Sequence, residues 1–228
     1  MTTSAHLNRT SAARPAWCAG RWILLLGWLV ALAGAGWAPW VDREAAALVL
    51  TAPDMAEFVK FLPEVRSGAL VVQRLCFLAP LFVVLITSPW VISARPLDYP
   101  GWLRGLVLAI AVPLALLLLP PVWSPPVLLA DEFRLQTAGC ILCWGLVIAS
   151  RWLPRPSMAV LRVVLPPLWL AAPLLALWQM TGVQAAVSQA YGSPVTPGWG
   201  AWTALAGGGV MSLGLWLGHE YAHHRPDR

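Results

Sequence analysis

The sequence predicts an all-α, polytopic membrane protein with six transmembrane helices. Of its 228 residues, 59% are apolar and only 11% are charged, which is far from the usual balance of a soluble domain. Six apolar segments approach the roughly 20 residues that a helix needs to cross the hydrocarbon core of a bilayer. No stretch between them can hold a folded soluble domain, which needs on the order of 50 residues, so we expect one membrane domain.

The chain divides into a predicted tail, a membrane domain and a second tail. Residues 1–21 form the cytoplasmic N-terminal tail, residues 22–218 the six-span domain, and residues 219–228 the cytoplasmic C-terminal tail. The predicted spans are 22–41, 76–93, 106–122, 137–150, 163–180 and 201–217. The first span is a retained anchor, because its apolar run of about 20 residues exceeds the usual 7 to 15 of a signal peptide.

Basic residues predict the orientation. With a cytoplasmic N-terminus, ten Lys and Arg residues fall on the inner side and five on the outer side. The positive-inside bias then favours both termini in the cytoplasm. Most of the fifteen tryptophans lie at predicted span ends, where their amphipathic rings meet the membrane interfaces. The sequence therefore predicts a multi-pass protein of a bacterial-type plasma (inner) membrane.

One segment outside the spans has a helical pattern. Asp54 and Glu57 form a predicted N-cap and third-position pair. Apolar side chains then recur at helical spacing, namely Met55, Phe58, Val59 and Leu62. We expect a short amphipathic helix at about 54–62 in the first outer loop, whose apolar face either covers the outer ends of the spans or docks a partner. Covering is favoured, because amphipathic periodicity reports burial first.

Small residues spaced by four predict helix contacts within the spans, since close packing in lipid depends on them. Such residues are Gly27, Ala31 and Ala35 in the first span, and Ala204, Gly208, Ser212, Gly214 and Gly218 in the last. They predict either packing of the first span on the last or an interface with another subunit. Intramolecular packing is favoured, because every helix of a bundle needs neighbours.

Ionisable residues are missing from the middle of every predicted span, where no Asp, Glu, Lys or His occurs. Ion and proton pathways are usually marked by such residues deep in the bilayer. This pattern argues against a proton-coupled transporter and against a haem protein with paired axial histidines. No cofactor is expected.

Two cysteines in the fourth span form a C-x-x-C pair. The stretch "GCILCWG" places Cys140 and Cys143 within about two turns of the outer end of that helix, and Cys76 begins the second span at a similar depth. The pair locally resembles the thiol pair of quinone-reducing, disulfide-forming membrane enzymes of the DsbB type, which implies a thiol/quinone oxidoreductase. That family also needs a second exchanging pair in an outer loop, and no predicted outer loop contains a cysteine. Packing as small apolar side chains is therefore favoured.

The chain ends in "LGHEYAHHRPDR", which contains an H-E-x-x-H spacing at 219–223. On a helix, this spacing places His219 and His223 where they can share a zinc ion, with Glu220 as the general base. Asp98 in "RPLDYPG" is a candidate third ligand on the same predicted side, and its segment resembles the Asp-bearing segment of intramembrane site-2-type metalloproteases. In that family, however, the H-E-x-x-H lies inside a span and precedes the Asp segment. A polar last helical turn that meets anionic headgroups fits the tail better.

Together, these patterns predict a non-catalytic integral subunit or accessory protein of a larger membrane assembly, and a transporter is one such assembly. The expected partners are the lipid bilayer and other membrane protein subunits, without nucleic acid. Two alternatives stay open, a zinc metallopeptidase that uses 219–223 and a thiol/quinone oxidoreductase that uses Cys140 and Cys143.

Overall fold

A computed structural model describes residues 14–41, 49–94, 97–154 and 156–218. In these ranges the chain forms helices, and its only β pairing is an antiparallel bridge between Val41 and Leu50. The helices are α1 (Arg14–Gly36), α2 (Ala52–Phe58), α3 (Pro63–Arg66), α4 (Leu75–Ser93), α5 (Gly101–Leu114), α6 (Pro125–Leu128), α7 (Arg134–Ala149), α8 (Met158–Ala190) and α9 (Trp199–Leu217). Short 3-10 helices follow α2 at Val59–Phe61 and α5 at Ala115–Leu118.

Four helical segments are long and apolar enough to cross a membrane, which fits a membrane-embedded protein. They are Ala19–Gly36, Leu75–Ser93, Gly101–Leu118 and Met158–Ala190. In addition, α7 is an apolar helix of 16 residues, and α9 has 19 residues. The prediction of an all-α fold is confirmed for the described residues, and four of the helical segments are long and apolar enough to span a membrane. Each of the six predicted spans is helical over most of its length, but the first helix runs over Arg14–Gly36 rather than 22–41, so it begins within the predicted N-terminal tail and ends before Pro39.

The long helices run back and forth between two ends of the bundle. We call the end that contains the start of α1, residues 97–100, residues 150–154 and the end of α9 the terminal end. There, the Tyr99 hydroxyl donates a hydrogen bond to the carbonyl of Arg21 over 2.9 Å. The opposite end, which contains residues 37–41, 49–74, 119–133 and 191–198, is the lid end. There, the backbone N–H of Gly198 donates to the carbonyl of Trp40 over 2.6 Å.

Helix α4 lies at the centre of the bundle and contacts α1, α2, α5, α7 and α8. Helix α9 packs on the other face of α1 and also on α8. Helices α7 and α8 follow each other in the chain but make no extensive contact with each other. Each of them packs against α4. The arrangement therefore has two parts, α1 with α9 and α8 on one side of α4, and α5 with α7 on the other.

Several helix ends differ from the predicted spans. Helix α8 begins after the N-cap Ser157 and continues to Ala190, ten residues beyond the predicted end at 180. Its last turns mix buried apolar side chains with Thr181, Gln184, Ser188 and Gln189, so they are less apolar than the predicted span, and the loop that follows holds them. Gln184 donates to the carbonyl of Val195, and Ser188 accepts from the Val195 N–H. The helical run from α5 stops at Leu118 rather than at 122, because two prolines follow at 120 and 121.

The predicted amphipathic helix is present as α2 and its 3-10 extension, but the prediction of Asp54 as its N-cap is wrong. The N-cap is Thr51, whose hydroxyl accepts from the Asp54 N–H, while the Asp54 carboxylate accepts from the Thr51 N–H over 3.0 Å. This is a capping box with Asp54 in the third position. The earlier start places Pro53 in the first turn, where a missing N–H costs no helical hydrogen bond.

The apolar face of this segment is turned into the bundle. Met55, Val59 and Leu62 are buried, and α2 packs on α4 and α1. Phe58 is half-buried, and its ring centre lies 5.8 Å from that of Tyr191. The segment therefore covers the lid end of α1 and α4, which leaves these four side chains within the chain's own core.

Helices α1 and α9 form the most extensive contact in the fold. Glycines recur every seven residues on both helices, at Gly20, Gly27 and Gly34 and at Gly200, Gly207 and Gly214. We call these six residues the glycine seam. A Cβ on Gly207 would lie 2.3 Å from the Ala31 nitrogen, and one on Gly214 would lie 2.4 Å from the Leu24 nitrogen. The two backbones therefore touch directly, and the pairing is the intramolecular one favoured from the sequence.

The other small residues of the predicted α9 stripe have separate neighbours. A Cβ on Gly208 would lie 2.4 Å from the Trp169 carbonyl oxygen, so this glycine allows α8 to approach. The Ser212 hydroxyl donates back to the Gly208 carbonyl over 2.7 Å. Gly218 faces the side chain of Leu97 at the terminal end. Helix α9 is thus closely packed on two sides.

Candidate functional site

A buried layer of tryptophan and hydroxyl side chains connects three helices. Trp28 of α1 donates its indole N–H to the Ser88 hydroxyl over 2.7 Å, and Trp169 of α8 donates to the Thr87 hydroxyl over 3.0 Å. The sequence reasoning missed this layer. The available signal was a tryptophan in the middle of a span, because a buried indole N–H usually finds a hydrogen-bond partner.

Charged side chains form a network at the lid end, which we call the lid network. Lys60 lies 2.7 Å from Glu57 and 3.3 Å from Glu132, and Arg74 lies 3.1 Å from Glu132. Arg74 also donates to the carbonyl of Glu132. Both cations lie 4.8 Å from the ring centre of Phe133. The network joins three parts of the chain. Glu57 and Lys60 belong to α2 and its 3-10 extension, which we call the lid segment, Arg74 precedes α4, and Glu132 lies in the loop before α7.

The loop at 97–100 organises the terminal end. Burial raises the pKa of Tyr99, and the positive charge of Arg21 offsets part of that rise. Arg21 donates to the Asp98 carbonyl over 3.2 Å, and Arg104 donates to the Tyr99 carbonyl over 2.7 Å. These bonds fix the loop between the starts of α1 and α5.

Asp98, the proposed third zinc ligand, lies in this loop. It adopts a left-handed backbone with φ of 39°, its side chain is 72% exposed, and its carboxylate lies 3.7 Å from Arg104. The neighbouring Leu97 side chain meets Gly218, which follows α9 and is the last described residue of the chain. His219, Glu220 and His223 lie outside the described residues, so only the position of Asp98 is known. Within the described part of the chain, no three His, Cys, Asp or Glu side chains converge on a metal position.

The C-x-x-C cysteines form part of the inward stripe of α7. Gln136, Cys140 and Cys143 are the buried residues of this helix, and their spacing of four and three places them on one face. Cys140 is 1% exposed and Cys143 is 2% exposed, and both are free thiols. Cys76 at the start of α4 is a free, half-buried thiol. In this conformation the thiol of another protein has no access to the α7 pair.

One stripe of α4 faces the gap between α7 and α8. Phe82 points to α7, where it meets Gly139, and Thr87 points to α8, where it meets Trp169. At 3.6 residues per turn, four side chains point between these two directions. They are Ala79, Val83, Ile86 and Trp90, and all four are half-buried. These four side chains form a half-buried apolar stripe on α4 between its contacts with α7 and α8, and we call this stripe with its two flanking helices the α7–α8 groove.

Arg162 is a buried cation that directly precedes the predicted span 163–180. It lies near the start of α8, is 7% exposed, and donates from Nε to the Leu215 carbonyl over 3.3 Å. Its guanidinium carbon lies 5.7 Å from the ring centre of Trp216. An arginine within two turns of a span end was the available signal, although its burial depends on how α9 packs.

These features define a helical, membrane-embedded bundle whose described polar side chains mostly hold helices and loops together. Comparison with protein-family models, with curated proteins and with solved structures finds no match to this chain.

Proposed function

We propose that the chain crosses a bacterial-type plasma membrane six times, with the terminal end and both chain termini in the cytoplasm. Four crossings correspond to the four long apolar segments. The other two are α7 and α9, whose 16 and 19 residues correspond to about 24 and 29 Å at 1.5 Å per residue. The orientation is supported by the ten Lys and Arg residues assigned to the inner side, against five on the outer side.

Reporter fusions test this topology. Fusions after residues 95, 155 and 228 should report a cytoplasmic location, and fusions near Lys60, Asp131 and Ser193 should report the outside. A C-terminal reporter that is active only outside the cytoplasm would contradict the proposed orientation. A reporter near Asp131 that is active in the cytoplasm would contradict the six-span count.

The proposed role is that of a non-catalytic integral subunit or accessory protein of a larger membrane assembly, and a transporter is one such assembly. The observation that supports this role is the α7–α8 groove. Its apolar stripe extends over 12 residues from Ala79 to Trp90, and the 11 steps between them correspond to about 16 Å along the helix. The occupant we propose is a transmembrane helix of another subunit, because such a helix can cover the stripe and contact both flanking helices.

Affinity purification in mild detergent tests the role, with identification of the proteins that co-purify. Ala79→Phe places a larger side chain on the apolar stripe of the groove, whereas Ala171→Phe makes the same change on the exposed face of α8. We expect the groove variant to reduce recovery of the partner about tenfold, which corresponds to about 1.4 kcal/mol of binding free energy. The control should leave recovery unchanged. If no membrane protein co-purifies stoichiometrically, or if both variants retain it equally, the groove is a lipid-covered surface and the proposed role is wrong.

A further inference from the structure

Arg162 has unused hydrogen-bonding capacity. Its Nε donor is satisfied by the Leu215 carbonyl, but Nη2 is buried and has no hydrogen-bond partner among the described residues. No Asp or Glu in that part of the chain forms an ion pair with it, in contrast to Arg74 and Arg104. A buried charge without a counter-charge is strongly destabilising, so an anion at this position would offset a large penalty.

The surroundings of Arg162 identify the kind of anion. The residue lies in the first turns of α8, beside the last turn of α9. In the six-span topology proposed above, these helix ends lie at the level of the lipid headgroups. Trp216 beside it is 59% exposed, and exposed indole rings prefer the membrane interface. Basic sites between helices at this level bind lipid headgroups, and a guanidinium matches the oxygens of a phosphate in a forked geometry.

We propose that Arg162 binds the phosphate of a phospholipid headgroup at the terminal end of the α8–α9 pair. On binding, the guanidinium turns its Nη2 donor, which the protein encloses in the lipid-free chain, towards a phosphate oxygen, while Nε keeps its bond to Leu215. The acyl chains lie along the exposed apolar face of α8, which begins with Val160 and Val163 at this end. The lipid therefore covers the contact between the first turns of α8 and the end of α9. This assignment rests on the proposed membrane crossing of α8 and α9, and it does not depend on the proposed partner subunit.

Binding and stability measurements test the site with phosphatidylglycerol in mixed micelles as the probe. The wild-type chain should retain this lipid through purification, and its thermal midpoint should rise when the lipid is added, since a ligand that binds only the folded state stabilises it. Arg162→Gln should bind phosphatidylglycerol roughly tenfold more weakly or worse, because a charge-assisted contact is lost. Arg162→Lys should keep part of the response. Arg151→Gln is the matched control, because it removes an exposed charge at the same end and should respond like the wild type.

Three results would overturn the assignment. The first is an equal lipid-induced rise in the midpoint of the wild type and of Arg162→Gln. The second is an equal rise with inorganic phosphate alone, which would assign the site to a free ion. The third is a stabilising effect of residues 219–228 that disappears in Arg162→Gln, which would assign the counter-charge to a carboxylate of the tail. If Arg162→Gln does not fold, the test uses the wild type alone. A wild-type thermal midpoint that is the same before and after exhaustive delipidation would also exclude the lipid.

Discussion

Trp28 and Ser88 are joined by a 2.7 Å hydrogen bond between the first helix and the central helix, and both side chains are buried. The Ser88 hydroxyl donates in turn to the Val84 carbonyl over 2.7 Å. The neighbouring Thr87 hydroxyl likewise accepts from Trp169 and donates to the Val83 carbonyl. Two adjacent hydroxyls of α4 therefore receive one indole from α1 and one from α8, which sets the rotation of α4 relative to these two helices.

Removing one of these hydroxyls should destabilise the bundle measurably. Ser88→Ala leaves the Trp28 N–H buried without its partner, so we expect the free energy of unfolding to fall by roughly 0.6 to 2 kcal/mol. Unfolding in detergent mixtures, followed by circular dichroism, measures the change. Thr181→Ala is the control, because this hydroxyl is exposed and donates only to the Trp178 carbonyl of its own helix. Equal effects of the two variants would show that the Trp28 bond contributes nothing.

The glycine seam gives a second prediction with a matched pair in one helix. A Cβ on Gly207 would lie 2.3 Å from the Ala31 nitrogen, whereas a Cβ on Gly209 would meet nothing within 4 Å. Gly207→Ala should therefore destabilise the fold by about 1 to 3 kcal/mol, because the α1 and α9 backbones must separate. Gly209→Ala should be neutral or stabilise by up to about 1 kcal/mol, since alanine is the better helix former. Thermal unfolding in mild detergent compares them, and the reverse order would refute the close seam.

The lid network should contribute a modest, salt-dependent stabilisation. Glu132→Gln weakens its contacts with Lys60 and Arg74, but its side chain is about half exposed, so we expect a loss of about 0.2 to 1 kcal/mol. Amide hydrogen exchange in residues 52–62 should become faster, because the lid segment loses an attachment. Asp131→Asn is the control, since that carboxylate is 94% exposed and pairs only with Arg134. Unchanged exchange in the Glu132 variant would show that apolar burial alone holds the lid.

Tyr99 predicts a loss of stability at alkaline pH. Its pKa is raised in the folded state by burial, so the unfolded chain loses this proton first as the pH rises. The stabilisation is therefore complete below the ordinary tyrosine pKa of about 10 and decreases above it, by up to about 1.4 kcal/mol per pH unit. Tyr99→Phe should remove the contribution of this proton to the slope. It should also lower stability at neutral pH, because the bond to the Arg21 carbonyl is lost. An identical slope in both proteins would contradict the burial of Tyr99.

The cysteines give a prediction on accessibility. The fourth cysteine, Cys18, is first replaced so that it does not contribute to labelling. A maleimide should then label Cys76 in the native protein and should label Cys140 and Cys143 only after unfolding. Cys143→Ala should leave cellular disulfide formation unchanged, because the thiol packs inside α7's buried face. A mixed disulfide trapped between Cys140 or Cys143 and an outer thiol protein would instead favour the oxidoreductase alternative.

The positions of the long helices were predictable because a long apolar run in this chain has few conformations available other than a helix. The end of α8 was not, because residues 181–190 continue the helix with interspersed polar side chains, which lower the hydropathy on which a search for apolar spans depends. The cap of α2 was shifted by one turn because Thr51 to Asp54 and Asp54 to Glu57 have the same three-residue spacing. Only the requirement of Pro53 for the first turn distinguishes the two, and that argument was available from the sequence.

Contacts between distant residues were harder to predict. The spacing-of-four rule selected two of the seam glycines, Gly27 and Gly214, and missed the other four. The seam follows a spacing of seven, because two long antiparallel helices meet once every two turns. The burial of Arg162 and the hydroxyl partners of Trp28 and Trp169 depend on which helices become neighbours. No local pattern contains that information.

The glycine seam also determines the order in which the fold can be completed. Its two halves end and begin 163 residues apart, at Gly36 and Trp199. At a synthesis rate of about 5 to 20 residues per second, α1 waits on the order of 10 s for its partner. During that interval its glycine face is open to any other small-residue helix in the membrane. Synthesis of α9 thus ends the exposure of α1, and variants that delay α9 should be degraded as open, unpaired chains.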